Sequence, residues 1–185
     1  MKTQKYVLRW LALLLLIVTV IGVTVAGAAE VETVSDDVIS LIATPKIYIR
    51  KDNATPVEVA AAEELQAYLT KITGTPFEIV PSNISLYKKG IFVGATAQAE
   101  NAGVEACPNK NGNGEGWAIE VVGDGVYLTG GAGNATDRGV LYAAYHLLED
   151  VLGVRWWNLW EEYVPSDENP TISATYKESG EPAFA

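Results

Sequence analysis

The chain has 185 residues, with 13 Lys and Arg against 23 Asp and Glu and a formal net charge of −10. That balance disfavours nucleic acid and anionic membrane surfaces as partners. Cys107 is the single cysteine, so no disulfide can form within the chain, and a lone small thiol is read as buried or unreactive.

The first 28 residues have the pattern of an export signal. Lys2, Lys5 and Arg9 precede an almost unbroken apolar run over residues 10–25, and Ala26-Gly27-Ala28 fits the small-x-small cleavage pattern, with the cut expected before Ala29. The competing reading is an uncleaved anchor, because residues 10–29 are nearly long enough to span a bilayer. Gly22, Thr24 and Gly27 weaken the end of that run and favour cleavage. The expected location is secreted or cell-surface, with membrane attachment only if the segment is retained. Cleavage removes three basic residues and no acidic ones, leaving 157 residues with 10 basic and 23 acidic side chains, a net −13. That length suffices for one domain with a real core.

Residues 29–44 read as an acidic leader or linker with a short strand near 38–42, and residues 45–185 as the domain. Over 46–51, Ile47 and Ile49 alternate with Tyr48 and Arg50, the pattern of a half-buried strand. Thr55-Pro56-Val57-Glu58 can form a capping box with proline at the first helical position. Val57, Ala61, Leu65, Tyr68, Leu69 and Ile72 then recur at helical spacing, Glu58, Glu63, Glu64, Gln66 and Lys71 fall on the other side, and Gly74 is a suitable stop.

Short strands are predicted at 77–80 and 90–94, and a short helix at 96–102. Residues 109–116, NKNGNGEG, read as a flexible loop. Strands at 117–122 and 126–129 are joined through Gly123-Asp124-Gly125, a combination that tolerates the positive φ of a tight hairpin. After a glycine-rich turn, Asn134 can cap a second long helix with Asp137 in its first turn. Val140, Leu141, Ala144, Leu148, Val151 and Leu152 form its apolar stripe, and Gly153 ends it. Residues 154–157 are expected to re-enter the sheet, and 171–177 to form a last strand. The fold class is α+β: a mixed, largely antiparallel sheet with two main helices packed on one face. The chain is too short for an eight-stranded α/β barrel, which typically takes about 250 residues.

Four blocks in this order, AAEELQAYLTKITG at 61–74, GIFVG at 90–94, GWAIEVVGDGVYLTGG at 116–131 and RGVLYAAYHLLEDVLGVRWW at 138–157, resemble the N-terminal domain of glycoside hydrolase family 67 α-glucuronidases. The non-catalytic domain of family 20 β-hexosaminidases is similar in plan. The resemblance implies an α+β accessory domain abutting a catalytic barrel, with the hydrolytic carboxylates in that barrel. It assigns no catalytic residue, cofactor or metal ligand to this chain. It implies a catalytic barrel, in this polypeptide or a separate protein, as partner, and a plant-type polysaccharide such as xylan as the eventual substrate.

Glycoside hydrolysis uses two carboxyl groups across a cleft, about 5–9.5 Å apart according to stereochemistry. Glu63-Glu64 reads as a solvated helix face, Glu149 and Asp150 as the polar side of the second helix, and Glu161-Glu162 as neighbours of a tryptophan cluster. His146, the only histidine, lacks companions for zinc and reads as a surface or domain-contact residue. Gly130-Gly131-Ala132-Gly133 lacks the spacing and Lys-Ser/Thr ending of a phosphate-binding loop and reads as a turn. The site candidates are therefore Trp156, Trp157, Trp160, Arg155, Glu161 and Glu162, as a domain interface or a carbohydrate surface. Flat indole rings serve either role, and the acids can accept hydroxyl hydrogen bonds. Arg155, with Arg138, is expected to support the region through carboxylate pairs.

Overall fold

The structure is a computed structural model that describes residues 37–104, 114–134 and 136–182. The export signal, the first half of the acidic leader, Cys107 and most of the loop at 109–116 lie outside the described residues.

The central sheet has six strands. The parallel part contains β2 (Lys46–Ile49), β3 (Glu78–Pro81), β4 (Gly90–Val93) and β6 (Gly125–Gly130), and the antiparallel part joins β6 to β5 (Trp117–Val122) and β5 to β10 (Lys177–Gly180). The order across the sheet is β10-β5-β6-β4-β2-β3. Two ribbons complete the fold. Strand β1 (Val38–Ser40) pairs with β9 (Thr171–Ser173), and β7 (Arg155–Asn158) pairs with β8 (Glu161–Tyr163). Four of the seven pairings among the described residues are antiparallel.

Helix α1 (Pro56–Thr73) forms as its sequence predicts: Thr55 and Glu58 make the reciprocal capping box, and Gly74 closes the helix at φ 69°. Its Ala61, Leu65, Leu69 and Ile72 are buried against Ile47, Ile49, Ile91 and Val93. Helix α3 (Gly139–His146) continues as a π-helical turn over Leu147–Val151 and packs beside α1. Both main helices cover one face, as expected. Strand alternation sends Tyr48, Phe92 and Tyr127 to the opposite face, where the short helix α2 (Ala97–Ala102) lies.

Several local expectations are corrected. Glu58 is not on the solvent side of α1. It is 1% exposed and accepts bonds from Arg50 Nε and Nη2 at 3.2 and 2.6 Å, Thr55 N at 2.8 Å and Ala95 N at 3.3 Å. Asn134 does not cap α3. Its amide instead donates to Asp137 Oδ2 at 2.8 Å within a turn, and the helix begins at Gly139. In the β5–β6 hairpin only Gly123 takes positive φ, 59°, so the two turn residues are Gly123-Asp124 in the manner of a type II′ turn. Residues 154–157 do not rejoin the central sheet but pass into the separate β7–β8 ribbon. The predicted last strand is two: β9 pairs with β1, and after a turn β10 pairs with β5.

Candidate functional site

The β7–β8 ribbon gathers all six candidate residues. Gly153, at φ 77°, releases the chain from α3, and Arg155 then ties the two elements together. Its Nη1 donates to the carbonyls of Glu149 and of Val154, the latter at 2.7 Å. Arg155 thus braces exposed carbonyls at the end of the π-turn, in place of the expected carboxylate pair.

Alternation along the ribbon divides its side chains. Trp156 and Glu162 are register partners and turn towards α1. The Trp156 indole donates to Tyr68 Oη at 2.7 Å, and that hydroxyl donates to Glu162 Oε2 at 2.5 Å. Lys71 Nζ reaches Glu162 Oε1 at 3.1 Å and lies 4.7 Å from the centre of the Tyr68 ring. Tyr68 and Tyr145 both meet the Trp156 ring edge to face, at 5.3 and 5.4 Å. Tyr68 and Lys71 lie three residues apart on α1, so one turn of that helix presents both to the ribbon. Trp156 and Glu162 are therefore anchors.

The remaining large groups point away. Trp157 is 63% exposed, Leu159 91% and Trp160 92%, and Tyr163 is also exposed and lies beside Trp157 with ring centres 6.5 Å apart. The tip is held by Asn158, which accepts from Trp160 N at 2.8 Å and donates to Glu161 Oε2 at 3.3 Å. An open concavity of about 650 Å³ runs along Trp156, Asn158, Leu159, Trp160, Glu161 and Glu162. The two acids serve different local structures, one in the anchor and one at the tip. His146 stacks on Trp117 at 3.8 Å and meets Asp150 through Nδ1 at 2.6 Å, away from the ribbon's hydrogen-bonded anchor. Among the described residues no cluster of three or more His, Cys, Asp or Glu is placed to hold a metal ion.

The anchor contains two titratable groups, Glu162 and Tyr68. The Tyr68 hydroxyl, and then the Lys71 ammonium, hold the Glu162 carboxyl below its usual range. Burial, and then the bond to Glu162, push the Tyr68 phenol up. For the lowered carboxyl, stabilisation is complete above the ordinary carboxylate range and is lost as pH falls through the lowered value. For the raised phenol, it begins to fall above the ordinary value of 10.0. Protection of the β7–β8 amides, taken relative to their intrinsic exchange rates, is accordingly expected to be greatest between these limits and to fall in acid before the core opens. Tyr68→Phe should reproduce that loss of protection at neutral pH and cost about 1 kcal/mol in urea unfolding. Unchanged exchange in that variant would remove Tyr68 from the anchor.

Comparison with known structures supports the fold first, an α+β domain. It is similar to part of a family GH115 4-O-methyl-α-glucuronidase, BtGH115A, with specificity for decorated arabinogalactans, at a TM-score of 0.55 and 18% identity over 77% of this chain. This chain spans about 18% of the length of that enzyme. A GH138 enzyme targeting pectin rhamnogalacturonan II is similar over 58% of this chain and 13% of its own at 16% identity, with a TM-score of 0.37. No curated protein matches. The family model "Glycosyl hydrolase family 67 N-terminus" matches residues 32–147, more than half of the chain. The chain belongs to that family, an accessory domain of glycoside hydrolases. The match takes in β1 through the whole of α3 and stops short of the β7–β8 ribbon.

Sequence reasoning singled out Trp156 and Glu162 but not the α1 residues that hold them, Tyr68 and Lys71. Tyr68 is visible as a member of the α1 stripe, yet nothing local marks its hydroxyl as the bridge between Trp156 and Glu162. Lys71 carries no signal beyond its place on a polar helix face.

Proposed function

We propose that this chain is a non-catalytic accessory domain, exported under the direction of residues 1–28, that supports and positions the catalytic barrel of an α-glucuronidase-type polysaccharide hydrolase acting on plant material such as xylan. The observation that carries the reading is the pairing of an anchored ribbon base with an exposed apolar tip and outer face. Trp157, Leu159 and Trp160 stand in water on a ribbon whose inner side is hydrogen-bonded to α1. Aromatic side chains held at low entropic cost are the usual anchors of protein interfaces.

Mixed with a family 67 catalytic barrel lacking its own N-terminal domain, the chain is expected to form a complex visible by gel filtration. Leu159→Ser with Trp160→Ala is expected to weaken it by at least about tenfold, or 1.4 kcal/mol. Absence of a complex, or one indifferent to both changes, rejects the reading.

The concavity beside Trp160 favours a second reading, a free-standing secreted module that binds a glycan or another protein. Glu161 and Glu162 would accept hydroxyl hydrogen bonds there and repel a uronate. A heat signal with neutral xylan fragments, lost in Trp160→Ala, would select glycan binding over barrel docking.

A further inference from the structure

The ribbon that carries the exposed tip also carries one sign of charge. Residues 149–168 run from the π-helical turn after α3 through β7 and β8 and back to the end of α1. They hold six exposed acids, Glu149, Asp150, Glu161, Glu162, Asp167 and Glu168, against the single cation Arg155. Bonds keep both flanks of this segment at the ribbon base. Arg155 donates to the Glu149 carbonyl, and Asp167 N donates at 3.0 Å to the carbonyl of Ile72, the neighbour in sequence of the Lys71 that holds Glu162.

Two of the acids have cationic partners: Glu162 in Lys71, and Asp150 in His146 when that ring is protonated. Among the described residues no ion pair forms to Glu149, Glu161, Asp167 or Glu168. The Arg155 guanidinium is held on backbone carbonyls. Trp157, Leu159 and Trp160 therefore stand in water beside carboxylates that the described fold does not neutralise.

We propose that the partner of this ribbon is a protein surface in which an apolar pocket for Leu159 and Trp160 is flanked by Lys and Arg. This rests on the docking reading above and adds the charge of the receiving face. Burial of apolar side chains by itself does not choose among a protein, a lipid bilayer and a glycan. The carboxylates choose. They repel an anionic bilayer, and a neutral glycan offers them no charge, whereas a basic face is attracted across a Debye length, about 8 Å at physiological salt. Such pairs at the margin of an interface stay hydrated. They act on the rate of encounter more than on the lifetime of the complex, which the buried Leu159 and Trp160 set.

The test is biolayer interferometry of the chain with a family 67 catalytic barrel lacking its own N-terminal domain, in about 20 mM and about 500 mM NaCl. Association is expected to slow at least about tenfold between the two, with dissociation changed by less than about threefold. Glu149→Lys with Glu168→Lys, both at exposed positions, is expected to slow association at least about fivefold at the lower salt. Leu159→Ser with Trp160→Ala should act instead through faster dissociation. A complex that depends on Leu159 and Trp160 but associates equally fast at both salts, or equally fast after the charge reversal, overturns the basic receiving face and leaves the docking reading standing. No complex at either salt overturns both, and binding to phosphatidylcholine vesicles that is lost in Trp160→Ala would then put the tip in lipid.

Discussion

Replacing Glu58 with alanine is expected to lower the unfolding free energy by about 3–5 kcal/mol, the cost of breaking a buried ion pair by removing one partner. The carboxylate sits where three parts of the fold meet: Arg50 after β2, the Thr55 cap of α1 and the Ala95 amide after β4. Its removal strands the part-buried Arg50 charge and leaves the Thr55 and Ala95 amide donors without that acceptor. A domain of this size has about 5–15 kcal/mol of stability in total, so the loss is a large share of it. Glu58→Gln retains shape and one acceptor and should cost less, about 1–3 kcal/mol. Replacing both partners, Arg50→Met with Glu58→Leu, should recover much of the loss because no charge is then left buried. Urea denaturation of the four proteins checks the series. A Glu58→Ala change below about 1 kcal/mol would show that the carboxylate is hydrated rather than shared among these elements.

The same residue shows what was legible beforehand. The Thr55–Glu58 capping box is a local signal, four residues long, and the structure contains it. The burial of Glu58 depends on Arg50 and Ala95, which arrive from other strands, and helical periodicity alone assigns such a position to the polar face. The β9–β10 region failed for a related reason. Polar and apolar residues keep alternating through Ala174 and Thr175 with no glycine or proline to mark the turn, whereas the partners, β1 and β5, belong to different sheets. Residues 154–157 misled in the opposite sense. Val154 is buried, but Trp157 two positions before Leu159 is open to water, and indole hydrophobicity by itself does not distinguish a core from a face kept for a partner. The two-helix layer and the alternation of faces along Ile47–Tyr48–Ile49 were readable because both follow from the chain's own period, but the expected half-buried strand is buried on both faces, with Tyr48 covered as well.

Gly139→Ala is expected to cost more than about 3 kcal/mol and to leave little folded protein. A methyl at Gly139 would lie 2.0 Å from the Gly116 carbonyl oxygen and 2.4 Å from the Gly131 amide nitrogen. From the other side, a methyl at Gly130 would lie 2.3 Å from the Gly139 carbonyl carbon. These neighbours are backbone atoms and cannot turn aside as a side-chain tip would. Their closeness serves a bond network: Gly131 N donates to Gly116 O at 3.1 Å, Gly139 N to Gly114 O at 3.1 Å and Val140 N to Gly131 O at 3.4 Å. The glycine-rich turn thus lets the first turn of α3 lie against the end of β6, and a helix displaced there would withdraw Val140, Ala143, Ala144, Leu147 and Leu148 from the core. Helix propensity acts with the opposite sign, since alanine is better than glycine inside a helix by about 1 kcal/mol. The steric term is the larger. A variant that unfolds at the parent's urea midpoint, or above it, would mean that propensity wins and that these backbones do not touch.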